Sequence, residues 1–433
     1  MTARPRLPGA AWLAAARLGY VAIVLIATLG YLRLDPDASA VAGRLARALS
    51  PRVTPNLLVD GMRNTLLFAG WGAVWVITSR GAAGWRAVGD ATGTAVLLSL
   101  SVEIAQLFSP VRTASIVDLL TNTGGGLLGA AAVVAAERAM RRARVGPTYL
   151  GVPAVFFAAS YSTAALLEGF APHFRQVNPP LAYGGAAMRF VAASAQLRAD
   201  PLLYFPVLDA LLFAPAGALC VMAVAERRKG GHPVRGVVLI AAACLLAVQL
   251  ARGVVGQPFE PGAAVAQLAG FACGALAAHR WIPALSRRLR GHERRLAAAQ
   301  AYAAVLAVWS WRPFIPRFGG FGEQFTRDHF IPLAALSQRV DLYSAADIGA
   351  LFALFAPAGA LLAVWQLRPR GALSGVLPAL YLAVFLEAVQ ILVRGRFLDV
   401  TDVMICCAGA LVGWLLVRRT GTAASHRGTE AQR

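Results

Sequence analysis

Twelve long apolar runs, separated by short polar segments, constrain this chain more than any other feature of its sequence. A run of roughly 20 apolar residues can cross a bilayer as a helix, and within lipid only a helix or a closed barrel satisfies every backbone hydrogen bond. The sequence therefore predicts an all-α, polytopic membrane protein with about twelve transmembrane helices. The predicted spans are residues 10–32, 57–79, 87–108, 114–137, 147–168, 202–225, 236–256, 262–283, 296–311, 345–366, 371–393 and 400–417.

The charged residues agree with this interpretation. Only 14% of the residues are charged, whereas a soluble protein carries about a quarter. A net charge of +20 would suggest a nucleic-acid partner in a soluble domain, but here the arginines lie in short segments between apolar runs, as membrane topology requires. Every segment predicted to be cytoplasmic is basic, and the tight hairpins at 109–113, 257–261 and 394–399 carry fewer positive charges. We therefore expect a multi-pass membrane protein with both termini in the cytoplasm, a retained first helix and no nucleic-acid partner.

Two stretches of the chain repeat the same residues at the same spacing, which chance rarely produces among charged groups next to apolar helices. The first set is Glu103, Gln106, Arg112, Asp118, Gly125 and Gly129. The second set is Glu387, Gln390, Arg396, Asp402, Gly409 and Gly413. The anchors Phe68, Phe213 and Phe355 indicate a further copy between them. We predict three repeats of four spans each, at residues 1–144, 145–295 and 296–419, followed by a disordered cytoplasmic tail at 420–433. An even number of spans makes the repeats parallel.

The middle repeat is predicted to have lost the polar set. Leu246 stands at the place of the glutamate and Ala263 at that of the helix aspartate, so that only Gln249 persists, followed by a two-residue insertion. We interpret this repeat as structural. Each repeat also ends in a pair of glycines four residues apart, a spacing that lets two helix backbones approach closely.

Three outer segments are longer than the others and carry modestly amphipathic stretches, such as residues 41–49 and 186–197. Amphipathic helices of this kind lie in the membrane interface, with their arginines extended toward the headgroups. Irregular loops are an equally good interpretation of both stretches.

The polar residues of the first and third repeats should gather near the outer surface, because each lies within a few residues of the same ends of its helices. The candidate binding residues are Asp60, Asn64, Glu103, Gln106, Arg112, Asp118 and Asn122, and Asp347, Glu387, Gln390, Arg396, Asp399 and Asp402. One interpretation is an arginine–carboxylate clasp that holds each hairpin together. The other is a polar pocket that engages a headgroup, a sugar or a phosphate.

The combined motif resembles that of the VanZ-like family of bacterial membrane proteins, which has a Phe-x-Pro-x-Gly turn, Glu-x-x-Gln, an arginine, a pair of aspartates and Asn-Thr-x-Gly. The first repeat departs from it with Gly70 for the proline and Ser115 for the first aspartate, and the third with Cys406 for the asparagine. The named member of that family is associated with resistance to the glycopeptide teicoplanin. The resemblance implies a place in the bacterial inner membrane and a role in the cell envelope, with membrane lipids, lipid-linked cell-wall precursors or glycopeptides as partners.

Three classes of function stay open on the sequence. We favour a non-enzymatic protein that binds an amphiphilic, anionic envelope molecule at the outer leaflet. The alternatives are a lipid or small-molecule transporter, as internal repeats suggest, and a transferase or hydrolase that acts on lipid-linked glycans through its Glu and Asp pairs. No nucleophile–base pair, phosphate-binding loop or metal motif stands out, and no histidine recurs between repeats, so the sequence predicts no cofactor and no metal.

Overall fold

A computed structural model describes most of the chain as long helices. The described residues are 10–29, 33–50, 55–79, 84–142, 150, 152–171, 205–226, 233–254, 260–289, 291–312, 314, 316–319, 321–325, 327–330, 342–365, 372–393 and 396–420. The α-helices are α1 Ala10–Leu29, α2 Ala38–Leu49, α3 Pro55–Thr78, α4 Trp85–Leu107, α5 Ile116–Arg142, α6 Ala154–Phe170, α7 Phe205–Ala225, α8 Pro233–Val254, α9 Pro261–Arg288, α10 Gly291–Trp311, α11 Arg327–Phe330, α12 Leu342–Trp365, α13 Ala372–Gln390 and α14 Val400–Thr420, with a 3-10 turn at Phe321–Phe325. Each of the twelve predicted spans coincides with one of the long helices.

The helices are those of a polytopic membrane protein. Within the described residues, seven of them are long and apolar enough to cross a membrane, judged by length and composition: α4, α5, α7, α8, α9, α12 and α14. Shorter apolar stretches of 10–17 residues lie in α1, α6, α10 and α13. The helix α3, which carries Asp60 and Arg63 near its start, is in neither group.

The first predicted amphipathic stretch is a helix, α2. Its N-cap is Asp37, whose carboxylate accepts hydrogen bonds from the Ala40 backbone N–H at 3.0 Å and from the Ser39 hydroxyl at 2.6 Å. Such a cap satisfies one of the backbone N–H groups that the first turn of a helix leaves free. The other predicted stretch, 186–197, and all of the predicted tail but its first residue lie outside the described residues.

The chain divides into two compact units. The first comprises Arg6–Arg138 and Val340–Ala345, and the second comprises Met1–Pro5, Ala139–Arg339 and Ala346–Arg433. The first predicted repeat thus forms one compact unit, while the middle and third repeats together form most of the other. The boundaries proposed for the repeats at residues 144 and 295 remain predictions.

The second and fourth helices of each repeat meet backbone to backbone at the predicted glycine pairs. On α5, a Cβ atom added to Gly125 or Gly129 would lie 2.3 Å from the Thr65 carbonyl oxygen or 1.8 Å from that of Ala69. Equally close approaches to a backbone carbonyl occur at the pairs in α9 and α14, Gly270/Gly274 and Gly409/Gly413. The predicted packing role of these glycines is therefore confirmed in all three repeats.

A tyrosine joins the first helix of every repeat to the second. Tyr20, Tyr161 and Tyr302 each donate a hydrogen bond to the backbone carbonyl of a leucine in the second helix, at 2.7, 2.9 and 2.5 Å. The acceptor always immediately precedes the phenylalanine that anchors the repeat. In the first repeat, Gly70 leaves the space that the Tyr20 hydroxyl occupies, because a Cβ atom there would lie 1.8 Å from the oxygen.

In the second compact unit, the first helices of the middle and third repeats, α6 and α10, pack side by side. The rings of Phe157 and Tyr302 meet edge to face at 5.5 Å, and those of Tyr161 and Trp309 at 6.0 Å. Residue numbers rise together along the two helices, so the helices are parallel, as repeats with an even number of spans require.

Candidate functional site

Both candidate sites contain a glutamate that accepts a hydrogen bond from the backbone just before the fourth helix of the repeat. In the first compact unit, the Glu103 carboxylate accepts a hydrogen bond from the Ser115 backbone N–H at 2.8 Å. In the second, the Glu387 carboxylate accepts one from the Asp399 backbone N–H at 3.4 Å. The glutamate therefore ties together the two arms of the α4–α5 hairpin or the α13–α14 hairpin. We call this end of each compact unit its hairpin end.

The residue that donates this hydrogen bond also caps the fourth helix. The Ser115 hydroxyl accepts a hydrogen bond from the Val117 backbone N–H at 3.1 Å, and the Asp399 carboxylate accepts one from that of Thr401 at 2.7 Å. Serine and aspartate are both favourable N-cap residues. The replacement of the motif's first aspartate by Ser115 consequently preserves the local structure.

The other polar residues of the first repeat pair with groups close to them in the fold. Asn64 donates to the Asp118 carboxylate at 2.8 Å, which joins α3 to α5. Gln106 donates to the Thr28 carbonyl oxygen at 3.2 Å, and Asn122 to the Ser99 hydroxyl at 2.9 Å. Asp60 lies 3.5 Å from the Arg63 guanidinium, one turn along the same helix. These hydrogen bonds join α3, α4 and α5 near the α4–α5 hairpin.

Arg112 does not form the predicted clasp. Its side chain is half-buried in the hairpin between α4 and α5. Within the described part of the chain it makes no ion pair with Glu103 or Asp118, which are hydrogen-bonded to Ser115 and Asn64. The hairpin therefore carries a positive charge with no ion-pair partner among the described residues.

The third repeat holds its arginine differently. Arg396 donates a hydrogen bond from Nε to the Arg312 backbone carbonyl at 2.9 Å, which ties the hairpin to the end of α10. Burial, together with the nearby Arg312 guanidinium, lowers the pKa of Arg396 from its ordinary value. Asp347 and Asp402 lie close enough to Glu387 for their charges to interact. Gln390 donates to Glu387 itself, at 2.6 Å.

No three His, Cys, Asp or Glu side chains among the described residues are grouped as a metal ion would need. Each site consists of carboxylates, amides and one arginine at a hairpin. The residues of one site lie between positions 60 and 122, and those of the other between 347 and 402. A sequence model of the VanZ/LLP1 family matches residues 20–137 and 301–421, which together cover more than half of the chain. The chain belongs to the VanZ/LLP1 family. Comparisons with curated proteins and with solved structures gave no match.

Each stretch matched by the VanZ/LLP1 model contains one candidate site, and the middle repeat lies between them. The middle repeat keeps a polar network that the sequence interpretation missed. Gln249 accepts a hydrogen bond from the Glu260 backbone N–H at 3.0 Å, the bond that Glu103 and Glu387 make in their repeats. Arg252, one turn later, donates to the Gly169 carbonyl at 3.1 Å, as Gln106 does to Thr28, and pairs with Glu260 at 2.8 Å.

The assignment of Leu246 to the glutamate position was therefore wrong. Leu246 is 57% exposed and faces away from the bundle, whereas Gln249 is buried. The middle repeat has Gln-x-x-Arg where the VanZ/LLP1 repeats have Glu-x-x-Gln. Its polar set is replaced rather than lost, and the one-residue difference in hairpin length concealed the correspondence.

A second buried ion pair, between the middle and third repeats, was also missed. The Arg312 guanidinium lies 2.9 Å from the Glu168 carboxylate, with side chains 2% and 8% exposed. The same guanidinium lies 4.5 Å from the centre of the Trp309 ring. Because Arg312 also accepts the hydrogen bond of Arg396, this pair connects α6 to the third repeat's hairpin.

Proposed function

We propose that this VanZ/LLP1 protein binds an amphiphilic, anionic molecule of the bacterial cell envelope at the outer leaflet, and that Arg112 contacts its anionic headgroup. One observation carries the proposal. Among the described residues Arg112 forms no ion pair, while Asp60 pairs with Arg63, Glu103 accepts the Ser115 N–H and Asp118 accepts from Asn64. An arginine without a counter-ion in the described part of the chain is suited to bidentate contact with a phosphate or carboxylate.

The hairpin that carries Arg112 is held from both sides, which supports a preformed site. Glu103 holds its far end through Ser115, and the buried Ser109 hydroxyl accepts a hydrogen bond from the Val111 backbone N–H at 3.3 Å. Above it, Arg44 of α2 donates to the Leu107 carbonyl oxygen at 3.1 Å. A site that needs little ordering on binding loses less conformational entropy when the ligand arrives.

The two arginines of the repeated motif have different roles in this proposal. Arg396 already donates to the backbone of Arg312, so we assign it to holding the second compact unit together. Arg112 is assigned to ligand binding. The ligand site of the first repeat is then without an equivalent in the third.

The proposal is tested by lipid binding to the purified full-length protein. Native mass spectrometry would compare the retention of phosphatidylglycerol and phosphatidylcholine by wild type, Arg112→Gln and Arg86→Gln. Because a charge-assisted hydrogen bond contributes about 1.5–3 kcal/mol, Arg112→Gln should weaken phosphatidylglycerol binding roughly tenfold or more. Arg86→Gln, which removes an exposed arginine at the opposite end of α4, should leave binding intact. Equal retention of the two lipids by wild type, or unchanged binding by Arg112→Gln, would contradict the proposal.

The VanZ/LLP1 membership supports a role in resistance to the lipid-tailed glycopeptide teicoplanin. We expect expression in a Gram-positive host to raise resistance to teicoplanin but not to vancomycin, and Arg112→Gln at matched membrane levels to abolish the difference. Absence of a shift with wild type would reject the resistance role alone. Resistance that persists in the Arg112→Gln strain would count against Arg112 as the ligand contact.

A further inference from the structure

The segment between α10 and α12 exposes a set of phenylalanine rings. Five of them are exposed, and Phe318 is 91% exposed, the most of any large apolar side chain among the described residues. The set is Phe314, Phe318, Phe321, Phe325 and Phe330. Rings so exposed are costly in water, and five of them in one short segment indicate a surface that something else covers.

The segment is fastened to the third repeat's hairpin, so its position is fixed by the fold. Pro316 and Val393 form an isolated antiparallel bridge, and the Arg317 backbone N–H donates to the Leu392 carbonyl at 2.7 Å. The Arg317 guanidinium donates to the Arg396 carbonyl at 2.9 Å. Within the segment, the rings of Phe325 and Phe330 are stacked at 6.4 Å.

The aromatic rings are not required by the shared fold of the repeats. In the first repeat, the corresponding backbone hydrogen bond runs from the Asp35 N–H to the Phe108 carbonyl, also at 2.7 Å. There the chain continues into α2, a helix that carries Arg44 and Arg47 and contains no aromatic residue. The same attachment thus leads to a polar amphipathic helix in one repeat and to an aromatic segment in the other.

The exposed side chains next to the segment indicate what covers its rings. Tyr381, Val384 and Phe385 are exposed on α13, an apolar helix whose exposed side chains suit contact with lipid. The Phe385 ring contacts Trp311 at the end of α10, 6.0 Å away. At the hairpin, Phe397 lies 5.5 Å from His329 and 5.8 Å from the Arg317 guanidinium. These contacts place the segment next to the exposed face of α13.

The geometry points to insertion of the Phe314–Phe330 segment into the lipid leaflet at the hairpin end, with its rings among the upper acyl chains. Arg317 beside them lies at the level where arginine side chains reach phosphate headgroups. The arginine distribution predicts this leaflet to be the outer one. The inference does not depend on ligand binding by Arg112, because the segment belongs to the other compact unit.

Site-specific photocrosslinking tests the inference on the full-length protein in vesicles of phosphatidylcholine and phosphatidylglycerol. Benzoylphenylalanine would replace Phe318, with Tyr381 on α13 as the lipid-facing control and Ala38, exposed in the first repeat's outer segment, as the comparison site. Mass spectrometry would measure phospholipid adducts at each position in protein that elutes as wild type does.

We expect several-fold more lipid adduct at position 318 than at position 38, and an amount close to that at position 381. A cross-linked dimer as the main product at 318 would overturn the inference, because the patch would then be covered by a second copy of the chain. Lipid labelling at 318 no greater than at 38 would overturn it as well, because the segment would then enter the leaflet no further than the start of the polar helix α2.

Discussion

At the scale of single residues, one backbone N–H in each repeat is held by a side-chain oxygen from the preceding helix. Glu103, Glu387 and Gln249 supply that oxygen, so a carboxylate serves in two repeats and an amide in the third. A neutral amide oxygen accepts the same hydrogen bond as a carboxylate. The negative charge of the glutamate is thus not needed to hold the hairpin.

This leads to a prediction for substitutions of Glu103. Glu103→Gln should unfold at nearly the wild-type temperature, because its amide oxygen still accepts the Ser115 N–H. Glu103→Leu should lower stability by about 1–3 kcal/mol, since it leaves the half-buried Ser115 N–H without its acceptor. Thermal unfolding in detergent measures both variants. Equal losses for Gln and Leu would show that the charge itself stabilises the hairpin, and a stable Glu103→Gln protein without function would instead favour acid–base chemistry.

The residues of the candidate sites were predictable only in part. Repetition identified Glu103, Asp118 and their counterparts, because charged residues recurring beside apolar helices are rarely accidental. Their hydrogen-bond partners were not predictable. The spacing suggests Arg112 as the partner of both carboxylates, whereas Ser115 donates to Glu103 and Asn64 donates to Asp118. The ion pair of Glu168 and Arg312 was not predicted because neither charge recurs between repeats. The first repeat has Ala27 and Gly30 at the corresponding positions.

At the scale of helices, the glycine pairs decide which surfaces of the second and fourth helices can meet. Gly129→Ala should be strongly destabilising, because its methyl group would lie 1.8 Å from the Ala69 carbonyl oxygen and must push α3 and α5 apart. We expect a loss of about 1–3 kcal/mol or more. Gly124→Ala on the same helix is the matched control, since nothing lies within 4 Å of the added atom.

The control should be neutral or stabilising by up to about 1 kcal/mol, because alanine favours a helix more than glycine does. Unfolding temperatures of the two variants in the same detergent make the comparison. If both substitutions had the same effect, close backbone contact at Gly129 could not be what holds α3 and α5 together.

The helices themselves were predictable because a bilayer imposes both their length and their apolar character. Their ends were less so. The predicted spans 114–137 and 262–283 correspond to α5 and α9, which continue to Arg142 and Arg288. Backbone hydrogen bonding does not stop where the apolar run stops, so a helix continues into its basic flanking segment.

The sequence left open whether α2 is a helix, because the stretch is short and only modestly amphipathic. In the structure it is a helix, and its N-cap at Asp37 favours that state.

At the scale of the whole molecule, the middle repeat contributes to the second compact unit through a buried charge. Arg312→Met should be strongly destabilising, by about 3–5 kcal/mol, because it leaves Glu168 buried without its partner. The double variant Arg312→Met/Glu168→Met should recover much of that loss, since a buried ion pair can often be replaced by apolar side chains of similar size. A double variant no more stable than Arg312→Met alone would argue against the pair as the cause.

The central claim is that the two repeated arginines have diverged, Arg112 toward an anionic ligand and Arg396 toward structure. The most direct measurement determines phosphatidylglycerol affinity and unfolding temperature side by side for Arg112→Gln and Arg396→Gln. The account predicts that Arg112→Gln loses affinity and keeps its stability, while Arg396→Gln loses stability because its hydrogen bond to the Arg312 carbonyl is removed. Unchanged affinity in a stable Arg112→Gln protein would contradict it, as would a loss of affinity confined to a stable Arg396→Gln protein.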